Sequence, residues 1–368
     1  MIQTIKQKWQ RYGLGISLGG LSAAVLLHLG GRTEAAQVLA VLSLLAMAFG
    51  FRSHAALRGY AFTLFIFTAV AAALFYPDFF KTMGSFELKQ LIVPLLQLIM
   101  FGMGTAMSLR DFAGVVKMPL GVGVGVFCQL SIMPLSGFAI AASSGLPPEI
   151  AAGIVLVGCA PSGIASNVIC FLARANVALS VTLTSVITLL APFTTPWLMR
   201  LLAGQFIPVD PREMMMSIVK MVIVPVAAGL LFHHLLHGKS AWLDRAMPVL
   251  SMAGIAVIIA IITAAGRDSL MQVGLVLMLA AVAHNTLGYL TGYWLCRLLR
   301  MPEQDCRTIS IEVGMQNSGL ASGIALEMGK MATVGLAPAV FGPFMNISGS
   351  VLASWWRGRQ AKEPLTKL

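Results

Sequence analysis

Ser162-Gly163-Ile164-Ala165-Ser166 recurs 156 residues later as Ser318-Gly319-Leu320-Ala321-Ser322. Both copies lie inside long apolar stretches. Both also carry residues that interrupt helices: Pro161 and Gly163 in the first, Gly314 and Gly319 in the second. Two interrupted hydrophobic segments at matching places in two halves of a chain point to a carrier site built from broken membrane helices. Five apolar spans separate the start of one copy from the start of the other. An odd number of crossings reverses orientation, so the repeats are expected to be inverted in the bilayer. The broken helices would then meet from opposite sides near its midplane.

The composition requires a lipid environment. Hydrophobic residues make up 58% of the 368 residues and charged residues only 11%, outside the range of ordinary soluble domains. The net charge of +11 does not indicate a nucleic-acid partner, because the basic residues are spread among loops instead of forming a patch. The five cysteines (Cys128, Cys159, Cys170, Cys296 and Cys306) are odd in number and form no CxxC pair, so they read as small buried hydrophobes. His233, His234 and His237 cluster at a helix end and read as a solvated rim, not a metal site.

Twelve helical spans are expected, near residues 13–31, 35–51, 60–77, 89–109, 118–142, 148–173, 177–203, 214–237, 246–266, 269–298, 308–327 and 331–356. The two-residue alternation of barrel strands is absent. Lys6, Lys8 and Arg11 before the first apolar run resemble the start of a signal peptide. A second apolar run follows after only Arg32-Thr33-Glu34, which favours a retained two-span hairpin over residues 1–52. The repeats then occupy 53–203 and 204–368, the second ending in a short basic cytoplasmic tail. With the N-terminus in the cytoplasm, 17 of the 25 Lys and Arg residues fall on the cytoplasmic side, including Arg174, Arg297, Arg300, Arg307, Arg357 and Arg359. That bias supports an even number of spans with both termini inside. The short termini point to a bacterial inner membrane.

Most of the 14 acidic residues sit in loops or at span ends; Glu312 does not. It lies just before the second broken segment, where an ionisable group costs roughly 2.5–3.5 kcal/mol on insertion scales and is a functional candidate by default. Around it the sequence offers oxygen donors: Gln129, Ser166, Asn167, Ser180, Thr184, Gln316 and Asn317. Ser180 and Thr184 are one helical turn apart and share a face. Oxygen-only ligation suits a hard cation and disfavours zinc or copper. Unwound backbone at Gly314 would free further carbonyls. His284-Asn285 lies 156 residues beyond Cys128-Gln129, the same repeat offset, and reads either as a packed polar pair or as support for a pocket.

Cys159-Ala160-Pro161-Ser162-Gly163-Ile164-Ala165-Ser166-Asn167, with Leu172-Ala173-Arg174 and Ala178-Leu179-Ser180-Val181-Thr182 after it, resembles the first crossing region of the bile acid:sodium symporter family. Glu312-Val313-Gly314-Met315-Gln316-Asn317-Ser318-Gly319-Leu320-Ala321 resembles the second. The resemblance covers roughly residues 53–356. It implies an all-α membrane protein of two inverted five-helix repeats, arranged as panel and core domains with crossing discontinuous helices. It also implies two sodium sites. Ser166, Asn167, Ser180, Thr184 and Glu312 would form one. Gln129, Gln316, Glu312 and the carbonyls of Val313 and Met315 would form the other. Asn317 and Asn346 match substrate-facing polar positions. Ile164 stands where relatives often have Thr, and Met345 where some have His, so the implied pocket is less polar.

The expected function is sodium-coupled symport of an organic anion by alternating access. The anion would be bile-acid-like or a small monocarboxylate such as pantoate or a keto acid. Two sodium ions and Glu312 leave +1 in a low-dielectric site, which a monocarboxylate brings to zero. An alternative keeps the fold without sodium, as a proton-coupled carrier or an anion efflux protein. An enzyme is not expected, since no nucleophile–base pair is evident.

Overall fold

A backbone in lipid must satisfy its own hydrogen bonds, and the spans of this chain are helical. The computed structural model describes residues 2–54, 57, 60–108, 111, 114–163, 165–236 and 241–359. In order the helices are α1 (Ile2–Leu29), α2 (Thr33–Ser53), α3 (Ala61–Phe75), α4 (Ile92–Ala106), α5 (Gly114–Lys117), α6 (Pro119–Phe127), α7 (Met133–Ser143), α8 (Pro148–Cys159) and α9 (Ala165–Leu172). They continue with α10 (Val177–Leu202), α11 (Pro211–Ile218), α12 (Val224–Leu236), α13 (Ala241–Ala265), α14 (Arg267–Leu298), α15 (Glu303–Gly314), α16 (Ser318–Glu327) and α17 (Leu336–Arg357). A two-stranded hairpin, Thr82–Met83 with Phe86–Glu87, interrupts the connection from α3 to α4. Among the described residues, seven helical stretches are long and apolar enough to cross a membrane, and shorter apolar helices accompany them.

Pro161 and Gly163 lie in the first interruption and Gly314 ends the helix before the second, whereas Gly319, expected to interrupt, is helical within α16. The span expected over 148–173 is two helices, α8 and α9, and the last crossing segment is likewise two, α15 and α16. Several boundaries differ from the expected ones: α1 begins at Ile2, α13 at Ala241, α17 at Leu336, and α15 at Glu303, five residues before the expected 308. Glu303 and Asp305 supply acidic groups to its first turn, which the helix dipole favours. Arg307 is therefore a buried helical residue, not a loop charge. Its guanidinium pairs with Glu303 one turn back and donates to the carbonyls of Ala173, Trp356 and Arg359. His237 and five basic residues of the charge count (Arg58, Arg110, Lys239, Lys362 and Lys367) lie outside the described residues.

Two groups of helices emerge from the packing. In one, α1 packs on α2, α2 on α3, α3 and α4 on α13, and α4 on α12. In the other, α7 and α17 pack on α8, α14 on α7, α15 and α17, and α10 on α8, α9 and α15. The groups meet where α11, which leads into α12, packs on α10 and α16, where α16 contacts α4, and where α17 contacts α3 and α13.

In lipid, close helix approach depends on small residues, and α4 and α12 use them. A Cβ on Gly229 would lie 2.2 Å from the Phe101 carbonyl oxygen, and one on Gly104 would lie 2.1 Å from that of Val226. The obstacles are backbone atoms, which cannot swing aside. Gly229→Val is therefore expected to destabilise the protein by about 1–3 kcal/mol. A lowered unfolding temperature of the purified variant in detergent checks this; an unchanged one contradicts the packing.

Candidate functional site

The two helix breaks complete each other's hydrogen bonding. Ser162 pairs antiparallel with Gln316, like a single rung of a sheet. The Gly163 N–H donates to the Met315 carbonyl at 2.9 Å, and the Asn317 N–H to the Pro161 carbonyl at 2.8 Å. Every broken helix leaves carbonyls without helical partners, and burial makes each one costly. Here side chains supply the remaining donors. Thr195 Oγ1 donates to Cys159 (2.7 Å) and Gln129 Nε2 to Ala160 (2.8 Å). Gln316 Nε2 donates to Val313 (2.6 Å) and Asn285 Nδ2 to Gly314 (2.7 Å). Gly314 also has a steric reason: a Cβ there would lie 2.2 Å from the Tyr289 ring.

Glu312 occupies the last turn of α15 and is 1% exposed. Its Oε1 accepts from Ser166 Oγ at 2.6 Å and Ser180 Oγ at 2.5 Å, and its Oε2 from Thr184 Oγ1 at 3.0 Å. Asn167 Oδ1 closes the ring, 2.7 Å from Ser180 Oγ and 3.3 Å from Thr184 Oγ1. Three helices thus converge: α9 brings Ser166 and Asn167, α10 brings Ser180 and Thr184, and α15 brings Glu312. Among the described residues no Lys, Arg or His pairs with this carboxylate. The Ser162 hydroxyl is buried close by, on the Glu312 side of the break, with no closer partner among the described residues.

The donor set fits a hard cation because its protons have other acceptors. Ser166 Oγ also reaches the Gly163 carbonyl (2.8 Å) and Thr184 Oγ1 the Ser180 carbonyl (3.0 Å). A hydroxyl carries one proton and two lone pairs. Turning the protons to these backbone acceptors would leave lone pairs and the carboxylate facing one point. No group of three or more His, Cys, Asp or Glu with metal-holding geometry occurs among the described residues.

A second cluster adjoins the first. Gln129 and Gln316 bond amide to amide, Nε2 to Oε1 at 2.6 Å and 3.2 Å. Gln129 lies in a widened π-type turn at Cys128–Ile132 that joins α6 to α7 just before Pro134. Proline cannot donate to the preceding turn, and such bulges re-aim side chains. The Val313 carbonyl belongs to this cluster through Gln316, whereas the Met315 carbonyl is bonded to Gly163.

The expected solute-facing residues occupy different surroundings. Asn317 caps α16, its side-chain oxygen accepting from the Leu320 N–H. Met345 is buried, with its sulfur 3.1 Å from the Gln316 nitrogen. Asn346 is half-buried on α17 and donates to the Gly342 carbonyl. Ile164 lies outside the described residues. His284 and Asn285 are fully packed: His284 Nε2 lies 2.9 Å from the Met133 carbonyl, and Asn285 accepts from Ser348 Oγ at 2.6 Å while holding Gly314. Asn285 thus holds backbone at the second interruption, while His284 holds the carbonyl at the start of α7 and meets the Phe341 ring edge-on. Thr195 and Ser348 were not singled out in the sequence; single hydroxyls in apolar spans carry no distinguishing signal. All five cysteines are buried and free, and of the expected histidine rim His234 is exposed and His233 half-buried. Away from the crossing, a cavity of about 780 Å³ between the ends of α10, α11 and α16 is lined by residues of both charges, among them Arg200, Arg212, Glu213 and Glu327.

Residues 93–273 match the pattern described as the Sodium Bile acid symporter family. The chain is 39% identical over 306 residues to the sodium-dependent transporter YocS of Bacillus subtilis (strain 168), covering 83% of this chain and 93% of that one. The chain belongs to the sodium bile acid symporter family. The symporter is also 36% identical over 268 residues to "Probable sodium/metabolite cotransporter BASS1, chloroplastic" of Arabidopsis thaliana, over 73% of this chain and 67% of the plant protein. It is 30% identical over 254 residues to the ileal sodium/bile acid cotransporter of Oryctolagus cuniculus, over 67% and 72% respectively. It is a multi-pass membrane transporter and not an enzyme.

The symporter's crossing depends on side chains that hold freed carbonyls. Asn285→Ala would leave the Gly314 carbonyl buried and unpaired, at about 1–3 kcal/mol. Its unfolding temperature in detergent should fall clearly, and that of Ser348→Ala, which leaves the Asn285 donor in place, should fall less.

Proposed function

We propose that the protein is a sodium-coupled symporter of an organic anion that works by alternating access. The observation that carries this reading is the Glu312 carboxylate, buried among neutral oxygens with no basic partner among the described residues. A buried anion without a countercharge is expensive, and a monovalent cation at the common point of Ser166, Asn167, Ser180, Thr184 and Glu312 relieves that cost. Gln129, Gln316, Glu312 and the Val313 and Met315 carbonyls form a second sodium site in this reading. The names of the three relatives all include sodium, which supports the same cation.

The solute binds against the crossing. Helices α9 and α16 both begin there, and helix N-termini carry partial positive charge that favours a carboxylate. Asn346 and Asn317 supply polar contacts, with Met345 as apolar wall and His284 and Asn285 as support; Ile164, outside the described residues, is assigned to the solute from the sequence alone. A small monocarboxylate such as pantoate or a keto acid, or a bile-acid-like anion, matches this chemistry. The chain threads as two inverted repeats, 53–203 and 204–368, after the hairpin of 1–52, with both termini in the cytoplasm of a bacterial inner membrane. The helices around α8, α9, α10, α14, α15 and α16 act as the core that moves against a panel containing α3, α4, α12 and α13.

Coupling follows from charge. Two sodium ions with an ionised Glu312 leave +1, and the carboxylate neutralises it, so each ligand favours binding of the other by the same factor. Thermal unfolding of the purified protein in sodium and in potassium at equal ionic strength tests the cation. A sodium-specific rise, about 2.7 kcal/mol at a hundredfold excess over Kd, is expected for wild type and absent in Glu312→Gln. Equal curves in the two salts favour the proton-coupled or efflux alternative. In proteoliposomes, uptake of a monocarboxylate with two sodium ions moves net +1 and should be driven by an inside-negative potential. Indifference to potential contradicts the stoichiometry.

A further inference from the structure

One helical turn before the carboxylate site, α10 and α15 are joined a second time by groups that the cation reading leaves unused. Asn176, the cap of α10, lies four residues before Ser180; Thr308 lies four residues before Glu312. Asn176 and Thr308 touch across the same interface as Ser180 and Glu312, and both pairs are separated by 132 residues in sequence. Thr308 Oγ1 accepts from the Asn176 N–H at 2.8 Å and lies 3.0 Å from the Asn176 carbonyl oxygen. The Asn176 side chain spans both helices: its Oδ1 accepts from the Leu179 N–H in the first turn of α10 (3.1 Å), and its Nδ2 donates to Asp305 Oδ1 in the first turn of α15 (2.8 Å). Thr308 is fully buried.

This is a two-rung ladder. The upper rung is Ser180 on Glu312, and the lower rung is Asn176 on Thr308 and Asp305. Four residues of α-helix rise about 6 Å, so the lower rung is too far away to ligate a cation at the upper one. A slip or rotation of α10 on α15 would nevertheless displace Ser180 and Thr184 together from Glu312. Metal ligation tolerates only about 0.2 Å in its distances. We infer that Asn176, Thr308 and Asp305 are positioning residues that set the register of α10 on α15, and thereby the affinity of the cation site.

The inference rests on the sodium reading above, and one titration separates the two. Unfolding temperature is measured across sodium concentrations, with potassium keeping ionic strength constant, for wild type, Thr308→Val and Thr308→Ser. Thr308→Val keeps the shape of the side chain and removes the buried hydroxyl of the lower rung while leaving the Asn176–Asp305 bond, so the sodium concentration at half the full temperature rise should increase roughly 10- to 100-fold, as for supporting residues of metal sites. Thr308→Ser, which keeps the hydroxyl, should return it close to wild type. The unfolding temperature in potassium alone is not the readout, since a merely structural role would move that as well. A wild-type midpoint in folded Thr308→Val overturns the positioning role while leaving the cation site standing. Absence of a sodium-specific rise in wild type itself overturns both. If Thr308→Val does not fold, Asp305→Ala carries the test: it frees the Asn176 amide but keeps the buried hydroxyl. A raised midpoint supports the ladder and an unchanged one overturns it.

Discussion

A carboxylate buried in the interior with no basic partner among the described residues is the constraint around which this structure is arranged. Glu312 is 1% exposed, and its oxygens accept from three hydroxyls carried by two other helices. Hydrogen bonds from neutral donors stabilise an anion only partly. The same donors cannot drift away without leaving the charge bare, so α9, α10 and α15 are bound to a common centre. The packing of α10 on α9 and α15 follows from that requirement.

Such a centre needs flexible backbone geometry at membrane depth, where unpaired backbone groups are not tolerated. The two interruptions satisfy this by exchanging N–H and carbonyl groups with each other and by drawing side-chain donors from α10, α14 and the turn before α7. Gln129 and Asn285 perform equivalent tasks at the two breaks, each placing an amide donor on a freed carbonyl. The polar residues of the crossing are thus of two kinds. Some face the carboxylate, and others hold the chain open around it.

The division bears on how a family with one architecture can carry different solutes. Two of the relatives are named for metabolite or bile acid cotransport, and the chain shares 30–36% identity with them. Holding the backbone open and holding a cation impose geometry on a few atoms. In the proposed function the solute wall beyond them includes half-buried Asn346 and buried Met345, which packs on Gln316.

Much of this was legible in the residues. The duplicated pentapeptide, with its Pro and Gly interruptions, located both breaks. The isolation of Glu312 from other charges marked the centre, and the spacing of Ser180 and Thr184 placed them on one face. Those features are local: helix periodicity, helix breaking and the cost of charge in lipid act within a few residues. What the sequence left open was which polar residues serve which break. Asn285 meets Gly314, Thr195 meets Cys159 and Asn176 meets Thr308 only because helices distant in sequence are packed side by side. The start of α15 at Glu303 was likewise hidden, since a polar first turn reads as a loop until Arg307 is seen buried against three carbonyls. The sequence determined where the chain must break and where its charge must be held. The tertiary structure decided which side chains meet those demands, because a freed carbonyl or a buried carboxylate takes whichever donor the packing brings within bonding distance.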